Sequence, residues 1–307
     1  GGRASTGPAA RGRAETRPGT DPAPLQLPRT WTDNCYMTTL SGRTLGRMRT
    51  TFSGGSPDSP NSAITSSQDL FEPIWLDYAS SFPEATLEFG VRVESVAESA
   101  DGVLITTRRL VSGAEGYDGD SRGSNEDTRQ SDSVESDWSG HSTGAVFSDE
   151  TQTLRAKYII SCDGWHSTVR EQFGVGFDGP RDLSSQVNCL FRADMRRFVP
   201  KREDGSMHGA ILFWITDPDA YNGVFQPVDP LHEHRWMTQI GFDPSRESLA
   251  DFTPERCKEC IYSAVGASDF PIEVLSTNAW SMNASVALEY RLGEHGRIFL
   301  AGDVSCT

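Results

Sequence analysis

The sequence predicts a mixed α/β protein, in which an α/β domain is interrupted by a second, largely antiparallel sheet domain. Three observations lead to that prediction. Two short apolar runs, residues 158–161 and 298–301, each lead into a Gly and an Asp, as a buried strand does at a sharp turn. Between them, residues 187–191, 210–215, 223–225 and 235–240 recur as short strand-like runs separated by turn signals. One further segment, residues 69–79, carries apolar residues at helical spacing.

Taken in order, residues 1–30 are rich in Gly, Ala, Arg, Pro and Thr. They bury too little apolar surface to offset ordering entropy, so a disordered tail is expected. Residues 35–40 read as a strand, Ser41 and Gly42 as a turn, and residues 44–48 as the returning strand of a small hairpin. Leu70, Phe71, Ile74, Trp75 and Tyr78 then line one face of an amphipathic helix with Pro73 near its first turn. Strands are expected over 86–89 and 91–96, with 102–107 returning across a turn at 100–102. Residues 154–160 resume the strand character. The tract 112–150 is rich in Ser, Asp and Gly and reads as a disordered acidic insert, which a loop tip tolerates at small entropic cost.

Downstream, a helix is expected over 254–265, opened by Thr253 and closed near Gly266, followed by a strand over 272–276. Phe213, Trp214, Phe225 and Trp236 lie on the strand runs, and core packing is the expected role for most of them. No internal repeat is present.

Composition narrows the function. A net charge of −15 argues against nucleic acid as a partner, because phosphate binding needs clustered Lys and Arg. No stretch approaches the length of apolar chain that crosses a membrane, and no apolar leader opens the sequence, so a soluble cytoplasmic protein is expected. The six cysteines lack the dense spacing of a disulfide scaffold. Cys257 and Cys260 form a single C-x-x-C on the expected helix with no second pair to complete a zinc site, so no metal is expected. His232 and His234 fall in a turn between strands and read as solvated surface residues.

Chemistry concentrates at the two Gly-Asp turns. Residues 158–170 form an apolar strand, Asp163 and Gly164 at a turn, and a helix start at which Thr168 and Glu171 fit a capping box, with Gly174 as the stop. A carboxylate at the carboxyl end of a buried strand sits where α/β sheets bind nucleotides and accepts hydroxyl hydrogen bonds there. The same geometry also serves a plain strand-turn-helix corner in which Asp163 caps the turn. Near the end of the sequence, Gly302 lets a ligand approach the backbone and Asp303 can take a sugar hydroxyl.

These two segments, in this order and separation, resemble the flavin motifs of the FAD-dependent aromatic hydroxylases, the group A flavoprotein monooxygenases that act on phenols and polyketide-like aromatics. Asp163 and Gly164, with Ser167 and Arg170, resemble the shared FAD/NAD(P)H motif, and Ala301-Gly302-Asp303 resembles the ribityl-binding motif. Residues 66–73 look like the helix start whose Gln meets the flavin, which points to Gln68, and residues 251–257 and 280–291 are similar to the same branch.

The resemblance implies an incomplete Rossmann-like FAD-binding domain of the glutathione-reductase type, residues 31–180 and 297–307, with an inserted mixed-sheet substrate domain over 181–296. It implies FAD as cofactor, NAD(P)H as reductant, and molecular oxygen with a small aromatic substrate as reactants. Hydroxyl transfer through a flavin C4a-hydroperoxide is the implied reaction, and a homodimer is left open as the assembly. Gln68, Asp163, Gly164, Gly302 and Asp303 are the implied cofactor-binding residues, and Arg170 has a structural part.

The pattern also departs from the family. No G-x-G-x-x-G precedes these motifs, and Val304, Ser305 and Cys306 stand where the family continues with Ala-Ala-His. A sheet without its first strand would expose backbone edges, so poor stability in isolation is expected. The alternative expectation is a catalytically inactive fragment or gene-model product, and for activity of the chain as it stands that alternative is favoured.

Overall fold

A computed structural model of the chain describes residues 31–49, 66–112, 146–217, 219, 221 and 223–306. The expected tail at 1–30 and residues 113–145 of the expected insert lie outside the described residues. In chain order the elements are β1 (Asp33–Met37), β2 (Thr44–Arg49), α1 (Gln68–Ser80), β3 (Val91–Ser99), β4 (Gly102–Ser112), β5 (Val146–Ala156), β6 (Ile159–Ser161), α2 (Thr168–Gln172) and β7 (Phe177–Asp178). They continue with β8 (Ser184–Arg192), β9 (Leu212–Ile215), β10 (Gly223–Asp229), β11 (Arg235–Phe242), α3 (Pro254–Val265), β12 (Glu273–Met282), β13 (Val286–Ala287), β14 (Arg291–Leu292) and β15 (Ile298–Leu300). No described helix is long and apolar enough to cross a membrane.

The described residues divide into two compact units. The first takes those up to Asp77 with Val187–Gly241 and Glu247–Asn278, and the second takes Tyr78–Gln186, Phe242–Arg246 and the residues from Ala279 onward.

In the first unit the strands follow the order β12-β8-β11-β10-β9-β1-β2. Alternation sets the buried face: Val187, Cys189 and Phe191 on β8, Phe213 and Ile215 on β9, and Trp236, Thr238 and Ile240 on β11 all point to one side. The helix α3 contributes Cys257, Cys260, Ile261, Ala264 and Val265 to the buried set. Thr253 caps it by accepting from the Arg256 amide, and Gly266 ends it at φ 76°. Its last carbonyls, those of Ala264 and Val265, accept from the amides of Leu40 and Ser41 at 3.0 and 2.9 Å.

The expected boundaries shift in two places. The expected flavin-binding span 31–180 includes β1, which pairs in parallel with β9, Cys35 opposite Phe213 and Tyr36 opposite Trp214, and so joins the seven-stranded sheet. Its alternate residues Cys35 and Met37 are 0% and 1% exposed, which makes the ladder the means of burying them. Conversely, residues 279–296 belong to the second unit, because β13 pairs with β7 and β14 with β15.

The second unit contains the antiparallel sheet β3-β4-β5, the sheet β14-β15-β6 and the short pair β13-β7. Its core gathers Val96, Val103, Val169, Ala287, Leu292, Ile298, Leu300 and Val304. Gln172 ties the end of α2 to β3, accepting from the Val96 amide at 2.9 Å and donating to the Val96 carbonyl at 2.5 Å. The side-chain amide thus completes β3 as a strand would.

Four local expectations change. The strand β5 begins at Val146, inside the tract assigned to the insert, because Val146 and Phe147 find ladder partners in Ser112 and Leu110 of β4. The expected strand at 154–160 splits: it leaves β4 after Ala156, then pairs with β15 from Ile159. Residues 86–89 lie outside any strand. In α1, Pro73 sits inside the helix past its first turn, and none of the helix's residues is buried despite the apolar stripe.

Candidate functional site

The two Gly-Asp turns emerge side by side. Strands β6 and β15 run parallel with Ile159 opposite Ile298, Ile160 opposite Phe299 and Ser161 opposite Leu300. The Ala301 amide donates to the Ser161 carbonyl at 2.9 Å, so the chain leaves both strands at the same level. Their carboxyl ends therefore carry Asp163 and Gly164 on one strand and Gly302 and Asp303 on its neighbour. Outside the carboxyl ends of parallel strands is where open α/β sheets bind ligands.

The two carboxylates differ in their surroundings. Asp163 is held within its own turn: its Oδ1 accepts from the Ser161 hydroxyl at 2.5 Å and its Oδ2 from the Val169 amide at 3.3 Å. The capping reading of Asp163 thus describes its contacts. Asp303 is exposed and its carboxylate has no hydrogen-bond or ion-pair partner among the described residues. It is the middle residue of a short 3-10 turn, Gly302–Val304, which Ser305 closes by donating to the Gly302 carbonyl through its amide at 2.9 Å and its hydroxyl at 2.7 Å.

Gly164 and Gly302 adopt φ values of 79° and 73°, the left-handed region that a Cβ disfavours. A Cβ at either would meet no atom within 4 Å, so both turns face open space. Glycine is required there by conformation, and the backbone is left accessible.

The helix that follows Asp163 is capped one residue earlier than the sequence suggested. Ser167, fully buried, accepts from the Arg170 amide at 2.9 Å, whereas Thr168 is exposed and the capping box at Thr168 is not formed. Two adjacent hydroxyl residues can each cap, and the one that also buries at the turn does so. Gly174 ends the segment at φ 67°, as expected.

Arg170 is 7% exposed and donates to the Trp165 carbonyl at 2.6 Å. Burial pulls its guanidinium below the ordinary arginine range, against the opposing charges of Glu171 and Asp163. It lies 4.3 Å from the Phe177 ring centre, and Phe177 stacks on Trp165 with centres 4.7 Å apart. Arg181 lies 5.1 and 5.2 Å from the Trp165 and Phe177 ring centres. This aromatic and cationic group beside Gly164 was not anticipated; the only signal was an aromatic residue directly after the glycine.

Gln68 opens α1 and belongs to the first unit, whereas the other four candidates belong to the second. Its amide donates to the Glu72 carboxylate one turn on, at 2.5 Å. In the first unit, Phe213, Phe225 and Trp236 are fully buried, as core packing requires, while Trp214 faces the other side of the sheet and stacks on Tyr36, 6.1 Å and 13° apart. Cys189, Cys257 and Cys260 are buried together; the hydrogen bond to Cys257 and burial push the Cys189 thiol up, and burial pushes Cys260 up to about 11. No group of three His, Cys, Asp or Glu side chains among the described residues could hold a metal ion.

The FAD binding domain family matches residues 120–305, more than half of the chain. The chain is 29% identical over 252 residues to the tetracenomycin A2 monooxygenase-dioxygenase of Streptomyces glaucescens, covering 80% of this chain and 37% of that protein. Among solved structures, it is similar to the flavin-dependent monooxygenase PieE in complex with FAD and substrate, at TM-score 0.68 and 21% identity over 92% of this chain and 42% of that one, a likeness of fold. A second is aklavinone-11 hydroxylase in a ternary complex with FAD and aklavinone, at TM-score 0.64 and 25% identity over 94% of this chain and 51% of that one. The chain belongs to the FAD-dependent aromatic and polyketide hydroxylase family. It spans well under half the length of the curated relatives it matches, 36% and 37% for two of them.

Proposed function

We propose that the chain supplies part of the flavin site and the substrate-facing sheet of an NAD(P)H-dependent monooxygenase that hydroxylates a phenolic or polyketide-like aromatic ring. The observation that carries this reading is the parallel pairing of β6 with β15, which brings the Asp163-Gly164 and Gly302-Asp303 turns to one level. On this reading β6 and β15 are two strands of a Rossmann-like sheet of the glutathione-reductase type.

The residues present fit a dinucleotide flavin. Asp303 offers a carboxylate free to accept ribityl hydroxyls, and Gly302 and Gly164 let the cofactor lie against the backbone. Asp163 acts one step removed, since its oxygens hold the turn that presents Gly164. Gln68 would have to exchange its bond to Glu72 for one to the cofactor. Bound FAD would supply the redox chemistry, taking electrons from the nicotinamide and activating oxygen.

The chain's own contribution to the substrate is the second face of the seven-stranded sheet. Tyr36 stacked on Trp214 offers a flat aromatic surface, and Gln226 and Gln239 on the same face offer amide donors and acceptors for phenolic oxygens. These groups orient a ring and exclude water from it.

The test is NADH or NADPH consumption by the flavin-loaded protein with a panel of phenolic and polyketide-like aromatics, read together with product mass. Substrate-dependent consumption coupled to a product gaining one oxygen atom supports the reading. Flavin binding without any hydroxylated product across the panel would leave a binding remnant instead.

A further inference from the structure

We propose that Arg181 is a phosphate-binding residue for a dinucleotide lying against the Asp163-Gly164 turn. The proposal rests on the flavoprotein reading above and extends it to a residue that the flavin motifs do not include. Arg181 is exposed, and among the described residues no carboxylate pairs with it. Other exposed arginines of this chain find acidic partners, Arg155 with Asp101 and Arg192 with Glu273, as expected in so acidic a protein. The neighbouring Asp182 makes no ion pair with Arg181; its backbone turns at φ 52° and its amide donates to Asn283 Oδ1 at 3.0 Å.

The loop that carries Arg181 is fixed along its length. The Ala284 amide donates to the Pro180 carbonyl at 2.9 Å and the Leu183 amide to the Met282 carbonyl at 2.8 Å. Gly179, at φ 121°, packs so closely on the Ala284 carbonyl that a Cβ could not be accommodated. The guanidinium lies beside an aromatic pair, 5.1 and 5.2 Å from the ring centres of Trp165 and Phe177, which stack 4.7 Å apart. Trp165 directly follows Gly164, whose open side is where a ligand can approach.

The guanidinium's planar fork matches two phosphate oxygens, and the tethered loop that carries it lowers the ordering cost of such a contact. FAD and a nicotinamide dinucleotide both carry a pyrophosphate, so the recognised chemistry is common to them and the experiment separates the two sources.

The test compares wild type with Arg181→Gln and Arg181→Lys by titration with inorganic pyrophosphate, with FAD, and with NADPH after FAD loading, each variant checked by its melting curve. Arg181→Gln is expected to weaken pyrophosphate binding about tenfold, the value of one charge-assisted contact. Arg181→Lys, which keeps the charge and loses the fork, should fall between. A matching loss for FAD alone assigns the contact to the cofactor, and for NADPH alone to the reductant; either supports the proposal. Loss of pyrophosphate binding in a protein that binds FAD neither as this chain nor when extended to the length of its relatives would support the anion site while removing the flavin reading. Unchanged affinity for all three ligands in a normally folded Arg181→Gln protein overturns the proposal and leaves the flavin reading standing, and so does a wild type that binds FAD but not pyrophosphate or NADPH.

Discussion

The Ala301 amide donates to the Ser161 carbonyl at 2.9 Å, one bond beyond the parallel ladder of β15 and β6. It fixes two turns from distant parts of the sequence at one height, with Gly164 and Gly302 both facing open space. The division of labour between the carboxylates follows from this arrangement. Asp163 places its oxygens on its own turn, while the Asp303 carboxylate has no partner among the described residues.

Substituting Asp163 should therefore act first on stability. Asp163→Ala removes acceptors for the Ser161 hydroxyl and the Val169 amide, and Ser167→Ala removes the cap on the Arg170 amide. Each should cost about 1 kcal/mol, up to about 2. Denaturant unfolding monitored by circular dichroism measures both.

Two glycines should respond differently to a methyl group. Gly302→Ala meets no neighbouring atom, so only the strain of its positive φ applies, about 1 kcal/mol. Gly179→Ala combines strain with a collision against the Ala284 backbone, and should cost more than about 2 kcal/mol. Melting temperatures of the two variants, compared side by side, give the order.

Acid should weaken the second unit through Glu98. Its carboxylate accepts from the His295 amide at 2.8 Å and the Arg297 amide at 2.6 Å. Desolvation works to raise this carboxyl, but the two amide donors and the nearby cations outweigh it and hold it below its ordinary value of 4.5. A carboxyl depressed by folding adds stability that is fully present above the ordinary value and is lost as pH falls through the depressed one. Glu98→Gln should thus melt lower than wild type near neutral pH, and the gap should close below pH 4.5. A pH series of thermal melts reads this directly.

Local chemistry made much of this fold legible in the sequence. Thr253 and Gly266 bound α3 because a cap and a left-handed stop are written in single residues. The hairpin of β1 and β2 and the Gly-Asp strands were legible for the same reason. Long-range pairing was not: nothing local tells Cys35 to lie beside Phe213 in a parallel ladder. The cluster of Trp165, Phe177 and Arg181 was hidden likewise, because its members meet only through the turn at Gly164 and the pairing of β7 with β13. The placement of the cap at Ser167 instead of Thr168 turned on burial, which sequence spacing does not encode.

The central claim is that these paired turns hold a flavin nucleotide, and FAD titration with and without the Asp303 carboxylate tests it most directly. The measurement is made on this chain and on a version extended at both ends to the length of its relatives. The account predicts that the extended protein binds FAD and that Asp303→Ala weakens binding at least tenfold, as the loss of a charged hydrogen bond should, with little change in melting temperature. FAD affinity unchanged by Asp303→Ala, or no flavin binding by either length of chain, would contradict it.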